Sequence, residues 1–74
     1  MILTVKLFAT FRTGRFVTEQ CEYPEGTTVA DIAAALKIPE SELGIMLVNS
    51  RHVGLDHRLA NNDTLALFPL LGGG

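Results

Sequence analysis

The sequence predicts an α+β domain, a mixed β-sheet with one main helix packed on one face. Three observations lead there. Residues 2–8, ILTVKLF, put Leu3, Val5 and Leu7 on one side and Thr4 and Lys6 on the other. That period of two marks a half-buried strand. Residues 29–36 place Val29, Ile32, Ala33 and Leu36 at i, i+3, i+4 and i+7, one apolar stripe along a helix. Strand-like runs follow the helix, and a hairpin followed by one helix and more strands closes as a sheet with the helix laid across it.

Each element has a local reason. FVTEQCEY (16–23) is rich in β-branched and aromatic residues and reads as the second strand of a hairpin whose turn region, 9–15, centres on Gly14. Val17, Cys21 and Tyr23 share one side of it, a pattern that Glu19 breaks. Cys21 reads as a small apolar core residue. YPEG (23–26) suits a type I turn, with Pro second and Gly fourth. Thr28 caps the helix, and Asp31 three residues on reaches back, a capping-box pattern. Pro39 disfavours helical geometry at Ile38 and ends the helix there. ESEL (40–43) fits one short helical turn. GIMLVN (44–49) holds four successive apolar residues and reads as a strand buried on both faces or nearly so. A turn at 49–52 leads to a short strand at Val53, and a loop at 54–63 is pinned by Leu55 and Leu59. TLALF (64–68) is the last strand, with Leu65 and Leu67 inward, Ala66 and Phe68 outward, and Pro69 closing it. The predicted organisation is one domain over 1–69 and a flexible glycine-rich tail over 70–74.

Composition excludes several function classes. The chain has 74 residues and buries about 60% of its unfolded surface on folding, enough for one small core. Net charge is -2, with the cations scattered at Lys6, Arg12, Arg15, Lys37, Arg51 and Arg58. Nucleic-acid binding calls for clustered phosphate neutralisers, so none is expected. Glu19, Glu22, Glu25, Glu40 and Glu42 read as solvated surface. One cysteine permits no intramolecular disulfide and no Cys-rich metal site. No apolar run approaches a membrane span and no signal peptide is visible at Met1-Ile2-Leu3, so a cytoplasmic protein is expected. His52 and His57 are too few for a zinc site, and Asp56 beside His57 has no activated nucleophile for company. Both histidines read as surface loop residues. No metal site, bound cofactor or self-sufficient active site is expected.

The tail remains. Gly72, Gly73 and Gly74 carry no Cβ, so they pass through a channel too narrow for any side chain. Residues 69–74 span at most about 20 Å when extended. Such a terminus suits a carboxyl group that reacts inside another protein's active site. An ionised carboxylate is a poor acyl donor and needs activation, for example as a mixed anhydride with AMP. A sulfur or amine nucleophile then takes the acyl group.

KLFATFR (6–12), the pair Val48-Asn49, DHRL (56–59), NNDTLALFP (61–69) and the terminal glycines appear in order along nearly the whole chain. In this the sequence resembles the MoaD/ThiS family of ubiquitin-like sulfur carriers, and within it the small subunit of molybdopterin synthase. The resemblance implies a β-grasp fold. It implies that Gly74 is adenylylated by an E1-like adenylyltransferase of the MoeB/ThiF type, which uses ATP, and is then converted to a thiocarboxylate, with Gly73 as its slim neighbour. It implies partner binding through Phe8, Phe68, Pro69 and Gly72, with Arg12 as an ion-pair partner. The implied partners are that adenylyltransferase, a sulfur donor protein and the large subunit of molybdopterin synthase.

The chain departs from the family at Gly72, where Ser, Thr or Ala is commoner, at Leu70 and Leu71, which replace a proline and a valine, and at His52, an apolar docking position. Asn62-Asp63 replaces a Gly-Asp turn, and Asn tolerates the left-handed backbone that turn requires. Three other readings stand beside the first: a carrier for thiamin or another sulfur pathway, a protein modifier linked through Gly74 to lysine, and an interaction module with an inert tail.

Overall fold

A computed structural model describes residues 1–70. The strands are β1 (Ile2–Leu7), β2 (Thr18–Glu22), β3 (Leu43–Val48), β4 (Arg51–His52) and β5 (Thr64–Pro69), and the helix α1 is Val29–Ala35. Single 3-10 turns occupy Ala9–Arg12 and Glu40–Glu42. The strands form one five-stranded sheet in the order β2-β1-β5-β3-β4. The first and last strands are parallel neighbours at its centre, and every other pairing is antiparallel.

The core follows the two sequence periods. Leu3, Val5, Leu7, Leu65 and Leu67 are fully buried on one face of the sheet, and Val29, Ile32 and Ala33 of α1 cover them. Leu59 is buried in the same cluster, with Leu55 half-buried against it. The helix start is fully accounted for. Thr28 Oγ1 accepts from the Asp31 N–H at 3.2 Å, and the Asp31 carboxylate accepts from the Thr28 N–H at 3.0 Å. The Val29 and Ala30 N–H groups donate to the carbonyls of His57 and Leu55. A seven-residue helix is short for independent stability, so its free amides depend on that loop.

The helix stops earlier than Pro39 requires. Lys37 adopts φ 60°, and the Ile38 and Lys37 N–H groups bond the carbonyls of Ala33 and Ala34. That pair of bonds is a Schellman motif, so the chain is already turned two residues before the proline acts. The turn after β2 is closed by the Thr27 N–H on Pro24 O, one residue later than YPEG suggests. Gly26 falls at its third position with φ 87°, the requirement of a type II turn.

Three further expectations need correction. β3 is not buried on both faces: Met46 and Val48 face the core, while Ile45 is 40% exposed and Leu47 half-buried on the other side. The helix covers one face and nothing in the described chain covers the other. Val17 is 53% exposed; it precedes β2, the strand at one edge of the sheet. The short strand is Arg51–His52, just before Val53. Asn49 and Ser50, both at positive φ, connect it to β3, as a two-residue type I′ hairpin turn requires.

Candidate functional site

The open sheet face is built from the outward positions of four strands. Thr4 and Lys6 of β1, Ala66 and Phe68 of β5, Ile45 and Leu47 of β3 and His52 of β4 share it, as their pairings require. Phe8 continues the line of β1: it is extended at φ -125°, and its N–H donates to Leu67 O at 3.2 Å. This brings two aromatic rings together from parallel neighbours. The Phe8 and Phe68 centroids lie 4.1 Å apart with planes 10° from parallel. Both residues are half-buried, and Ile45 pairs directly with Phe68. The result is a contiguous apolar patch on a face the protein's own core does not use.

The segment after Phe8 orients one edge of this patch. Ala9 takes φ 52°, an uncommon angle for a residue with a Cβ, and turns the chain into the Ala9–Arg12 3-10 turn. Phe11 is carried into the core, 3% exposed. Arg12 is carried back over the Phe8 ring, its guanidinium carbon 5.2 Å from the centroid, and its Nε–H donates to Leu7 O at 2.7 Å. That bond uses one of the five guanidinium donors. With Lys6 exposed on the same face, the patch has a cationic margin.

Pro69 and Leu70 lead out of the sheet directly after Phe68. Pro69 pairs with Leu43, and the Leu70 N–H donates to Glu42 O at 2.9 Å. The start of the predicted tail is therefore held to the domain. Gly72, Gly73 and Gly74 lie outside the described residues.

Other motif residues have structural duties. Asn49 Nδ2–H donates to Asp63 Oδ1 at 2.9 Å, and the Thr64 N–H donates to Asn49 Oδ1 at 3.0 Å. Asp63 Oδ2 accepts from the Ala60 N–H at 2.8 Å. These bonds tie the end of β3 to the start of β5. Asn62 sits at φ 71°, the left-handed position predicted for it. Cys21 is half-buried against the core; burial, then the charge of Glu19, push its thiol above the ordinary range. Among the described residues no group of three or more metal-ligating side chains comes together. No described helix is long and apolar enough to cross a membrane. Ile45 and Leu47 are the site residues that sequence reading misplaced. Their signal was the unbroken apolar run itself, since a strand with one core face needs apolar residues only at every second position.

A mixed five-stranded sheet with parallel first and last strands at its centre and one main helix across one face is a β-grasp domain, the architecture of ubiquitin-like proteins. The model of the ThiS family matches residues 5–74, and the chain belongs to that family of ubiquitin-like sulfur carriers. Solved structures agree on the fold. A protein named molybdopterin converting factor, subunit 1, from Pyrococcus furiosus is 30% identical, with a TM-score of 0.76 over 93% of this chain and 97% of that one. Small archaeal modifier protein 1 of Haloferax volcanii is 24% identical, with a TM-score of 0.72 over 92% and 95%. A Helicobacter pylori structure described as a complex of subunits 1 and 2 of molybdopterin-converting factor is 17% identical, with a TM-score of 0.67 over the whole of both chains. No curated protein sequence gives a significant match.

Proposed function

We propose that this protein carries sulfur on its last residue and serves as the small subunit of molybdopterin synthase in molybdenum cofactor biosynthesis. The supporting observation is the position of the stacked Phe8–Phe68 pair. It forms an apolar patch at the point where the chain leaves β5, with two residues between Phe68 and the start of the 71–74 segment. A partner seated on that patch has the tail within reach of its active site. The similarity to the Pyrococcus furiosus subunit supports the same reading.

In this scheme an E1-like adenylyltransferase docks on the open face. A Gly74 carboxylate oxygen attacks the α-phosphorus of ATP, and pyrophosphate leaves. Hydrosulfide released by a sulfur donor protein then attacks the acyl carbon, the acyl–phosphate bond breaks, AMP leaves, and Gly74 ends as a thiocarboxylate. The catalytic groups belong to the partners; this chain supplies the carboxyl group and the docking face. The large synthase subunit takes the adenylyltransferase's place on that face and receives the sulfur.

The test is the intact mass after incubation with the adenylyltransferase, ATP and a sulfur donor. A gain equal to exchange of one oxygen for sulfur, lost when one residue is added after Gly74, is the expected result. An unchanged mass with a cognate enzyme of verified activity refutes the carrier role. A second reading, a modifier that forms an isopeptide through Gly74, draws on the likeness to the small archaeal modifier. A lysine-linked ladder that disappears on deletion of Gly74 would establish it. Lys6 and Lys37 are the internal lysines on which chains of such a modifier would have to grow.

A further inference from the structure

The chain is gripped where it leaves the sheet. Leu43 pairs with Pro69 and Ile45 with Phe68, so Gly44 is the extra residue of a β-bulge opposite the Phe68–Pro69 step. A Cβ on Gly44 would lie 2.7 Å from the carbonyl oxygen of Pro69, 2.9 Å from its carbonyl carbon and 3.0 Å from Leu70 Cα. All three are backbone atoms, and none has a flexible side chain's freedom to move aside. Gly44 does not belong to the glycines at positive φ. It is therefore required for room and not for its backbone angles. On the near side of the bulge, the Leu70 N–H is fixed to Glu42 O at 2.9 Å.

We infer that Gly44 is a positioning residue for the C-terminal tail: its bare Cα lets Pro69 and Leu70 lie against β3, which sets the length and direction of the segment that presents Gly74. This inference rests on the carrier reading above. With Leu70 held, residues 71–74 span at most about 14 Å, at roughly 3.3–3.6 Å per residue. With the grip lost back to Phe68, the length of chain beyond the last held residue starts at residue 69 and spans at most about 20 Å. A longer span beyond the last held residue presents its end at a lower effective concentration, by about a factor of two for this change in length. Misplacement matters more, since about 1 Å of error at a reacting group costs on the order of a hundredfold in rate. Docking through Phe8 and Phe68 does not use Gly44. The change should therefore appear in turnover and not in binding.

The experiment compares Gly44→Ala with the unaltered protein as substrate of the cognate E1-like adenylyltransferase, read by ATP–pyrophosphate exchange, alongside amide hydrogen exchange of the free protein. The expected result for Gly44→Ala is a kcat about tenfold lower, a KM within about twofold, and faster exchange of the Leu70 amide with β1 and α1 amides unchanged. A second variant inserts one glycine between Leu71 and Gly72, which leaves Gly44 and the sheet intact. It should lower kcat similarly while Leu70 stays protected. The inference is overturned if Gly44→Ala keeps its Leu70 protection, if it loses that protection with kcat unchanged, or if the insertion leaves kcat unchanged. Should Gly44→Ala fail to fold, the insertion variant decides. Failure of the unaltered protein to support any exchange with an active enzyme refutes the carrier reading instead, and the Leu70 protection comparison then still decides whether Gly44 grips the chain.

Discussion

Truncation of the stacked rings measures whether the open face is preorganised. Complete burial of a Phe makes Phe→Ala cost about 3–5 kcal/mol. Phe68 is partly buried, so Phe68→Ala should cost somewhat less than that, about 2–4 kcal/mol. Of this, about 0.5–1.5 kcal/mol belongs to the stack with Phe8, given the 4.1 Å separation and 10° tilt. Phe8→Ala loses the same stack and also the ring beneath Arg12, a contact worth about 0.5–1 kcal/mol at an exposed site. The double variant should cost less than the sum of the two single variants, by a coupling of about 0.5–1.5 kcal/mol. Urea unfolding suits the measurement, since the chain has no Trp and Tyr23 is a lone, half-buried fluorophore. A domain this size has an m-value near 1 kcal/mol per molar urea, so each kcal/mol moves the midpoint by about 1 M. A coupling below about 0.3 kcal/mol would show that the rings touch without supporting each other, and the preorganised face would have to be abandoned. A Phe68→Ala cost above about 4 kcal/mol would make Phe68 a core residue and not part of an open face.

Two other perturbations test the local arguments. Lys37→Gly relieves a left-handed backbone that costs a Cβ-bearing residue about 1–2 kcal/mol, against about 0.5–1 kcal/mol of added chain entropy. Thermal unfolding should show a net gain of about 0.5–1 kcal/mol, and a loss would contradict the Schellman geometry. For Cys21, burial disfavours the charged thiolate, so the folded thiol titrates above its ordinary range. Its contribution to stability is complete below the unfolded thiol's pKa and is lost as pH rises through the folded value. The pH midpoint of iodoacetamide alkylation should therefore be higher in the folded protein than in urea, and equal midpoints would refute the burial.

Arg15 shows what a single sequence hides. Its guanidinium donates to the carbonyls of Phe11, Leu36 and Lys37, joining the segment after β1 to the end of α1. Two of those carbonyls belong to a helix C-terminus that needs partners. Nothing in RTGR distinguishes Arg15 from a solvated surface residue, because two of its three partners, Leu36 and Lys37, lie 21 and 22 positions away. The burial of Phe11 is hidden for a similar reason: Gly14 marks a turn, but the 3-10 geometry that swings Phe11 inward depends on Ala9.

Local chemistry determined the parts. The period-two and period-3.6 patterns fixed which faces of β1, β5 and α1 are buried, Thr28 and Asp31 fixed the helix start, and Asn62 fixed a left-handed turn, because each depends on residues within a few positions of one another. Tertiary structure decided the rest. The run Ile45–Val48 has the same residues whether its strand is central and covered or open on one side, and strand order placed β3 between β5 and the two-residue β4, with α1 on the far face. The need for Gly44 and the Phe8–Phe68 stack arise where segments distant in sequence meet, and no local pattern encodes a distance between them.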